Sequence, residues 1–205
     1  ITKILIDKFG LNQTWSGVVM ALDNVLALFM LPLFGALSDK SNRKRGRRTP
    51  YIIVGTIVAA FAFMGLSYMD SVQTTRIELS DKNIIEKYEE IHNETVDRLD
   101  IAYWNLIVDE MTAERQTTLT EGTITQDRYD TWEDNVLDPI NVIVDGRTTG
   151  SFQVSDLAYL NGYYNIYMSD LAWEITVANP WNFIIFVAVL LVALVFMSTF
   201  RSPAV

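Results

Sequence analysis

Cysteine is absent from this chain of 205 residues, and histidine occurs once, as His92. The first absence excludes a disulfide framework and a thiolate metal site, and the second makes a histidine-based zinc centre untenable. The chain also has no glycine-rich phosphate loop, nucleophile motif or pair of catalytic carboxylates. The sequence therefore gives no support for an enzyme. We expect no cofactor, no metal and no nucleic-acid partner.

Charged residues are almost missing from three long runs, 15–37, 51–69 and 180–205. Each run has the roughly 20 residues that an α-helix needs to cross a hydrocarbon core of about 30 Å. Trp15 and Trp181 lie near the ends of two runs, as is typical of residues at a membrane interface. We therefore predict three transmembrane helices in a cell (plasma) membrane, with the lipid bilayer as a partner.

The loop 38–50 between the first two runs is densely basic. Six of the nine residues from Lys40 to Arg48 are lysine or arginine. Positive charge in a short loop beside membrane spans marks the cytoplasmic side. The insertion 70–179 carries 22 of the 25 acidic residues but only 7 of the 16 basic ones. With the basic loop inside, the helix at 51–69 delivers this insertion to the extracytoplasmic side.

The insertion is rich enough in aromatic residues to fold into a small cap. Apolar spacing predicts a helix over 81–111 with Ser80 as its N-cap. A second helix is predicted to begin after Thr125, and a third at Ser155. Residues 140–144, which precede an Asp-Gly pair, predict a strand that enters a turn. The expected insertion is mainly helical.

The first residues, 1–14, are typical of the end of an earlier helix followed by a loop, and the chain begins without methionine. Three helices alone would leave the polar side chains of Asp23 and Asn24 facing lipid. We therefore expect this chain to be an internal piece of a larger polytopic protein.

A composite motif occupies the basic loop: Gly35-x-Leu37-Ser38-Asp39-Lys40, followed by Gly46-Arg47-Arg48-x-Pro50. It resembles the motif between the second and third helices of major facilitator superfamily transporters. Its spacing is most similar to that of the sucrose-transporter and glycoside–pentoside–hexuronide branches. The resemblance implies an α-helical membrane protein of twelve helices in two halves, with the substrate near the midplane and alternating access. The chain would then be a fragment of a major facilitator bundle, with runs 15–37, 51–69 and 180–205 as helices 2, 3 and 4. The implied function is secondary active transport of a small, sugar-like molecule.

The resemblance also implies a role for the loop as a conformational latch. In such transporters this cluster holds the two halves in the outward-open state through a charge network that breaks during the cycle. The positions that match are Gly35, Asp39, Gly46, Arg47 and Arg48. The alternative is that the arginines only fix topology and bind anionic lipid headgroups.

Asp23 lies eight residues into the first run, where an ionisable group is unfavourable and usually functional. It would carry a coupling proton, pair with a basic group or bind substrate hydroxyls with Asn24; the alternative is a structural polar contact. Sodium-coupled members of the glycoside–cation branch carry two carboxylates four residues apart just before the helix-2 proline. Counted back from Pro32, those positions are Ala27 and Leu31 here, so protons are favoured over sodium as the coupling ion.

Two further alternatives stay open. Arg201 is either an interfacial anchor that reaches the headgroups or, as in the similar segment of sucrose-type transporters, a functional charge in helix 4. For the whole chain, the alternative to a transporter is a membrane-anchored extracytoplasmic binding or sensor domain. In that case the acidic insertion does the work and the helices tether it.

Overall fold

The computed structural model describes residues 2–39, 49–93, 97–146 and 152–198. Within these ranges the secondary structure is helical, and no strand is found. The helices are α1 (Thr2–Asp7), α2 (Gln13–Asp39), α3 (Thr49–Ser80), α4 (Lys82–His92), α5 (Ile101–Thr120), α6 (Gln126–Trp132), a π-helical turn (Glu133–Leu137), α7 (Asp138–Asp145), α8 (Val154–Ala178) and α9 (Trp181–Ser198). The chain divides into two compact units. Unit 1 comprises Ile1–Arg76 and Ala172–Val205, and unit 2 comprises Ile77–Leu171.

The core of unit 1 is built around two phenylalanines from opposite ends of the chain. Phe9 follows α1 and is fully buried; its ring centroid lies 4.9 Å from that of Phe186 in α9 and 5.5 Å from that of Phe183. Leu5 of α1 is also fully buried in this cluster. Gly10, with φ of 64°, then turns the chain into α2. The short α1 is therefore held in place by apolar packing, since six residues alone form only a marginal helix.

Helix α3 presents a face of small residues to the interior of unit 1. Gly55, Ala59 and Ala62 are buried, four or three positions apart. At Gly65 an added Cβ would lie 3.4 Å from Cγ1 of Val189 in α9. Small side chains let helix backbones approach closely, which is the usual way in which membrane helices pack.

A buried amide also connects three segments of unit 1. Gln73 of α3 is 1% exposed. Its Nε2 donates to the carbonyl oxygen of Lys8 at 3.0 Å and to Oγ1 of Thr176 at 3.4 Å. The Thr176 hydroxyl in turn donates to the carbonyl oxygen of Ala172 at 2.7 Å. These bonds fix the turn after α1 and the end of α8 to the same point of α3, because a buried polar group left without a partner would be destabilising.

One helical stretch of the described chain, Ile53–Ser80, is long and apolar enough to cross a membrane. Helices α8 and α9, which are sharply bent at their junction, pass the same test as a pair and would count as a second span. The stretch in α3 includes most of the run 51–69. The spans 15–37 and 180–205 stay predictions.

Unit 2 has a separate apolar core to which α4, α5, α8 and the segment between α5 and α8 all contribute. Its fully buried side chains, each at most 2% exposed, are Ile84, Trp104, Ile107, Met111, Trp132, Val136, Ile140, Leu160 and Tyr167. Three of these are aromatic. The expectation that the aromatic residues of the insertion form a folded, helical cap is therefore supported by packing within this unit.

The predicted N-cap at Ser80 is wrong by one residue. Helix α3 continues through Ser80, and the N-cap of α4 is Asp81, whose side chain makes no capping hydrogen bond. The Asp81 carboxyl is instead turned into the core of unit 2, where it is 6% exposed. The Asp81 side chain therefore makes a tertiary contact with Tyr167 and does not cap α4, as local rules would predict.

The single helix predicted over 81–111 is also wrong, because α4 ends at His92 and α5 begins at Ile101. Asp97 Oδ1 accepts the backbone N–H of Leu99 at 2.9 Å, and Asp100 Oδ1 accepts that of Ala102 at the same distance. Aspartates whose carboxylates accept nearby backbone N–H groups compete with the hydrogen bonds of a continuous helix. They are therefore common at helix N-termini. The apolar spacing continues across the break, which is why the periodicity did not reveal it.

The predicted strand at 140–144 is wrong, since these residues lie in α7. Ile140 and Val144, one helical turn apart, are 2% and 7% exposed, whereas Val142 between them is 73% exposed. A preference of β-branched residues for strands is weak and is overridden when a helix buries them against a core.

Two other helix predictions are confirmed. Helix α6 begins directly after Thr125, its N-cap residue. Helix α8 begins at Val154, so that Ser155 and Asp156, which were expected to cap it, lie within its first turn. Its first turn is closed by Asp156, whose Oδ2 accepts the backbone N–H of Gln153 at 2.9 Å. Both starts carry the local signal of a helix N-terminus, so sequence alone locates them.

Candidate functional site

Helix α2 carries both polar positions predicted for coupling or substrate binding. Position 23 follows Val19 by one turn and Ser16 by two, and these side chains are 8% and 0% exposed. By helical register, position 23 follows these two residues along the same side of α2. The Asp23 side chain itself lies outside the described residues. Asn24 is exposed and precedes the exposed Leu28 by one turn.

Three polar atoms inside unit 1 are buried and have no hydrogen-bond partner within the described ranges. They are Ser16 Oγ, Asp70 Oδ1 and Asn182 Nδ2. Such atoms are rare in complete folds, because leaving a buried donor or acceptor unsatisfied costs about 1–3 kcal/mol. Ser16 lies on the same face of α2 as position 23. This face of α2 therefore carries a buried hydroxyl, that of Ser16, which has no hydrogen-bond partner among the described residues, beside the buried Val19.

Only part of the predicted latch lies in the described chain. Gly35 is the fifth-last residue of α2 and Asp39 is its last, and the next helix begins at Thr49. The Asp39 side chain lies outside the described residues, as do Gly46, Arg47 and Arg48, and so does Arg201. The loop nevertheless supplies its positive charge directly after a helix C-terminus, where the helix dipole favours cations.

Sequence reasoning missed a buried ionisable cluster in unit 2. Asp81, Arg115 and Tyr167 are 6%, 3% and 0% exposed. The Tyr167 hydroxyl donates to Asp81 Oδ2. The guanidinium carbon of Arg115 lies 4.9 Å from the ring centroid of Tyr167 and 5.8 Å from that of Trp132, within the range of cation–π attraction. No periodicity or spacing in the sequence brings these residues together, since they come from three separate segments.

Burial sets the protonation behaviour of this cluster. It raises the pKa of Asp81 to about 6, while the Tyr167 hydrogen bond and Arg115 act in the opposite direction and Glu114 adds to the increase. Burial also raises the pKa of Tyr167, and the neighbouring Asp81 adds to this. The pKa of Asp170 is raised by burial, against the attraction of Arg115 and Arg128. Unit 2 thus contains a carboxyl group that changes charge near neutral pH.

Comparisons with known proteins find a similarity for the first part of the chain. Residues 2–73, which include α1, α2 and most of α3, match the sequence model of a family described as MFS/sugar transport protein. The resemblance to major facilitator sugar transporters that the loop motif indicated is thus confirmed for this segment. The match ends before unit 2 begins.

A particular relative is the sucrose transport protein SUC4 of Arabidopsis thaliana, to which the chain is 29% identical over 63 residues. That alignment covers 31% of this chain and 12% of the relative. The aligned segment therefore corresponds to about an eighth of that protein's length. No solved structure matches the chain.

Proposed function

We propose that this chain is part of a secondary active transporter of the major facilitator type that moves a sugar or glycoside by alternating access. The observation that carries this proposal is the family match over residues 2–73, which includes the motif-bearing loop, all of α2 before it and most of α3 after it. Helices α2, α3 and α9 then stand for helices 2, 3 and 4 of the bundle. The loop 38–50 lies in the cytoplasm, and the insertion 70–179 lies outside the plasma membrane.

The surface of unit 1 supports a membrane setting. Many large apolar side chains of its long helices are more than 60% exposed, namely Trp15, Leu28, Phe29, Phe61, Met64, Tyr68 and Trp181. Proteins that fold in aqueous solution rarely expose contiguous apolar surface on this scale. Lipid or the remaining helices of a bundle would cover it. Those helices would also provide partners for the buried polar atoms of Ser16, Asp70 and Asn182.

Within this proposal Asp23 carries the coupling proton or binds substrate hydroxyls. Its position on the face of α2 that also carries Ser16 and Val19 supports a location inside the bundle. Asn24, exposed in the described chain, would face a helix of the complete transporter and assist in substrate binding. Arg201 keeps both of its interpretations, as an anchor and as a functional charge.

The transport proposal is tested by counterflow in proteoliposomes. The full-length protein, reconstituted with unlabelled sucrose inside, is expected to exchange it for labelled sucrose added outside. A panel of glucosides, pentoses and hexuronides in the outer solution would define the substrate by competition. Failure of every sugar in the panel to exchange, with protein correctly inserted, would contradict the proposal.

The latch proposal needs a separate variant. Asp39→Asn removes one charge from the network proposed to involve Arg47 and Arg48, so we expect slower exchange with normal expression and insertion. Asp7→Asn is the matched control, because the Asp7 carboxylate is exposed and pairs with Lys3 at 3.9 Å. An exposed ion pair of this kind contributes little to stability. If both variants exchange sucrose at the wild-type rate, the loop serves topology alone.

The second candidate, a membrane-anchored binding or sensor domain, is supported by one observation. Unit 2 has an apolar core of its own, whose described buried members lie between Ile84 and Tyr167. A protein of this kind would bind a ligand through unit 2 and show no sugar exchange. The counterflow measurement therefore distinguishes the two functions.

A further inference from the structure

Unit 2 contains a cavity of about 350 Å³ between α4, α8 and the segment that precedes α5. This volume falls within the range of small-molecule sites, which begins at roughly 300 Å³. Its walls are formed by Tyr88, Ile91, His92, Arg98, Leu157 and Asn161. Apolar side chains thus alternate with polar ones that carry N–H and O–H groups.

The apolar wall of the cavity is rigid. Tyr88 stacks on Tyr164 with ring centroids 3.6 Å apart and an interplanar angle of 7°, and the Trp104 ring meets it edge-on at 6.2 Å. Trp104 is 1% exposed, and its Nε1 donates to the carbonyl oxygen of Arg98 at 3.1 Å. Ile91 and Leu157 are buried. Because these side chains are already held in place, little conformational entropy is lost when a ligand binds against them.

The polar groups of the cavity are chiefly donors. The Tyr88 hydroxyl donates to Asn161 Oδ1 at 3.0 Å, which uses the amide oxygen and leaves the amide N–H groups for a ligand. Arg98 is exposed and brings a guanidinium with five N–H donors. His92 brings a ring nitrogen. The insertion holds 22 acidic residues, yet none of those that the structure describes lines this cavity.

We propose that the cavity is a binding site for a small organic carboxylate with a short apolar body. The guanidinium of Arg98 matches a carboxylate in two-point geometry, and the Asn161 amide adds a third donor. The apolar body packs against Tyr88, Ile91 and Leu157. A neutral sugar is a poorer fit, since its hydroxyls need acceptors as well as donors and the described wall of the cavity includes no carboxylate to accept. The site goes beyond the transport proposal and does not depend on it.

The test is calorimetric titration of the full-length protein in detergent micelles with sodium butyrate, and with glucose as the neutral probe, at constant ionic strength. We expect saturable butyrate binding that Arg98→Gln weakens at least tenfold. Lys82→Gln makes the same charge change at an exposed residue of α4 that does not line the cavity. It should leave the affinity within twofold of the wild type.

A second variant separates ligand binding from folding. Asn161→Asp keeps an oxygen that accepts from Tyr88 but replaces the amide N–H donors with a negative charge, so butyrate binding should be abolished while the circular dichroism is unchanged. Three results would overturn the proposal: no saturable butyrate binding, equal losses in the Arg98 and Lys82 variants, or glucose binding as tight as that of butyrate. None of these results depends on whether the protein transports sugar.

Discussion

At the scale of single residues, the Asp81 carboxyl makes the stability of unit 2 depend on pH. Its pKa is raised from the ordinary 3.8 to about 6, chiefly by burial. Because the folded state binds the Asp81 proton more tightly than the unfolded chain does, this proton stabilises the fold fully below about pH 3.8. The stabilisation is lost as the pH rises through 6. The free energy of unfolding should therefore fall between pH 5 and pH 7, and the raised pKa of Asp170 adds a slope of the same sign.

Asp81→Asn should flatten this profile and stabilise the protein at pH 7, because the amide oxygen still accepts from Tyr167 and carries no charge. Urea unfolding followed by tryptophan fluorescence at pH 5, 6 and 7 measures the effect. Asp130→Asn, at an exposed position of α6, is the control and should retain the wild-type slope. A slope that is the same in Asp81→Asn and the wild type would show that Asp81 does not titrate in this range.

These residue-scale contacts could not be predicted from the sequence. Asp81 lies where local rules place a helix cap, and Arg115 lies in a polar stretch of α5 that is typical of a solvated face. Their burial depends on packing against Tyr167 from α8, a contact between distant parts of the chain. Asp23, by contrast, could be singled out from the sequence, because a lone carboxylate in a long apolar run is energetically unfavourable and is usually kept for a function.

At the scale of elements, two glycines of unit 2 should respond in opposite ways to the same substitution. Gly122 follows α5 with φ of 73°, a conformation in which a side chain is strained. Gly162 lies inside α8, and no atom beyond its chain neighbours and the adjacent backbone of its own helix lies within 4 Å of an added Cβ. We expect Gly122→Ala to destabilise the protein by about 1 kcal/mol and Gly162→Ala to stabilise it by about 0.5–1 kcal/mol. Thermal unfolding of the two variants beside the wild type checks both signs; a shift in the same direction for both would contradict the assigned helix ends.

How far the elements could be predicted depended on whether the signal was local. The starts of α6 after Thr125 and of α8 near Ser155 could be predicted because residue types that favour helix N-termini coincide there with an apolar period. The break between α4 and α5 was missed because Asp97 and Asp100 interrupt the backbone without interrupting the apolar spacing. The strand predicted at 140–144 failed because two apolar residues one turn apart fit a helix as well as their β-branched type fits a strand.

At the scale of the whole molecule, the uneven charge predicts a topology that labelling can test. Since the chain has no cysteine, single cysteines can be introduced at Asn42 in the basic loop and at Gln116, which is exposed in α5. We expect an impermeant thiol reagent to label the second in intact cells and the first only after the cells are opened, because basic loops stay in the cytoplasm. The opposite labelling pattern would overturn the orientation and the placement of unit 2 outside the membrane.

The most direct measurement of the central claim is proton-driven accumulation of labelled sucrose by the full-length protein in proteoliposomes, with Asp23→Asn and Asp7→Asn beside the wild type. Keeping a carboxylate at mid-helix in a membrane costs about 2.5–3.5 kcal/mol, so an Asp23 without function could become Asn at no loss. We expect the wild type and Asp7→Asn to accumulate sucrose against its gradient when the pH outside is lower. Asp23→Asn should lose accumulation, and should keep exchange if its role is coupling. Accumulation by Asp23→Asn at the wild-type level, or none by the wild type, would contradict the account.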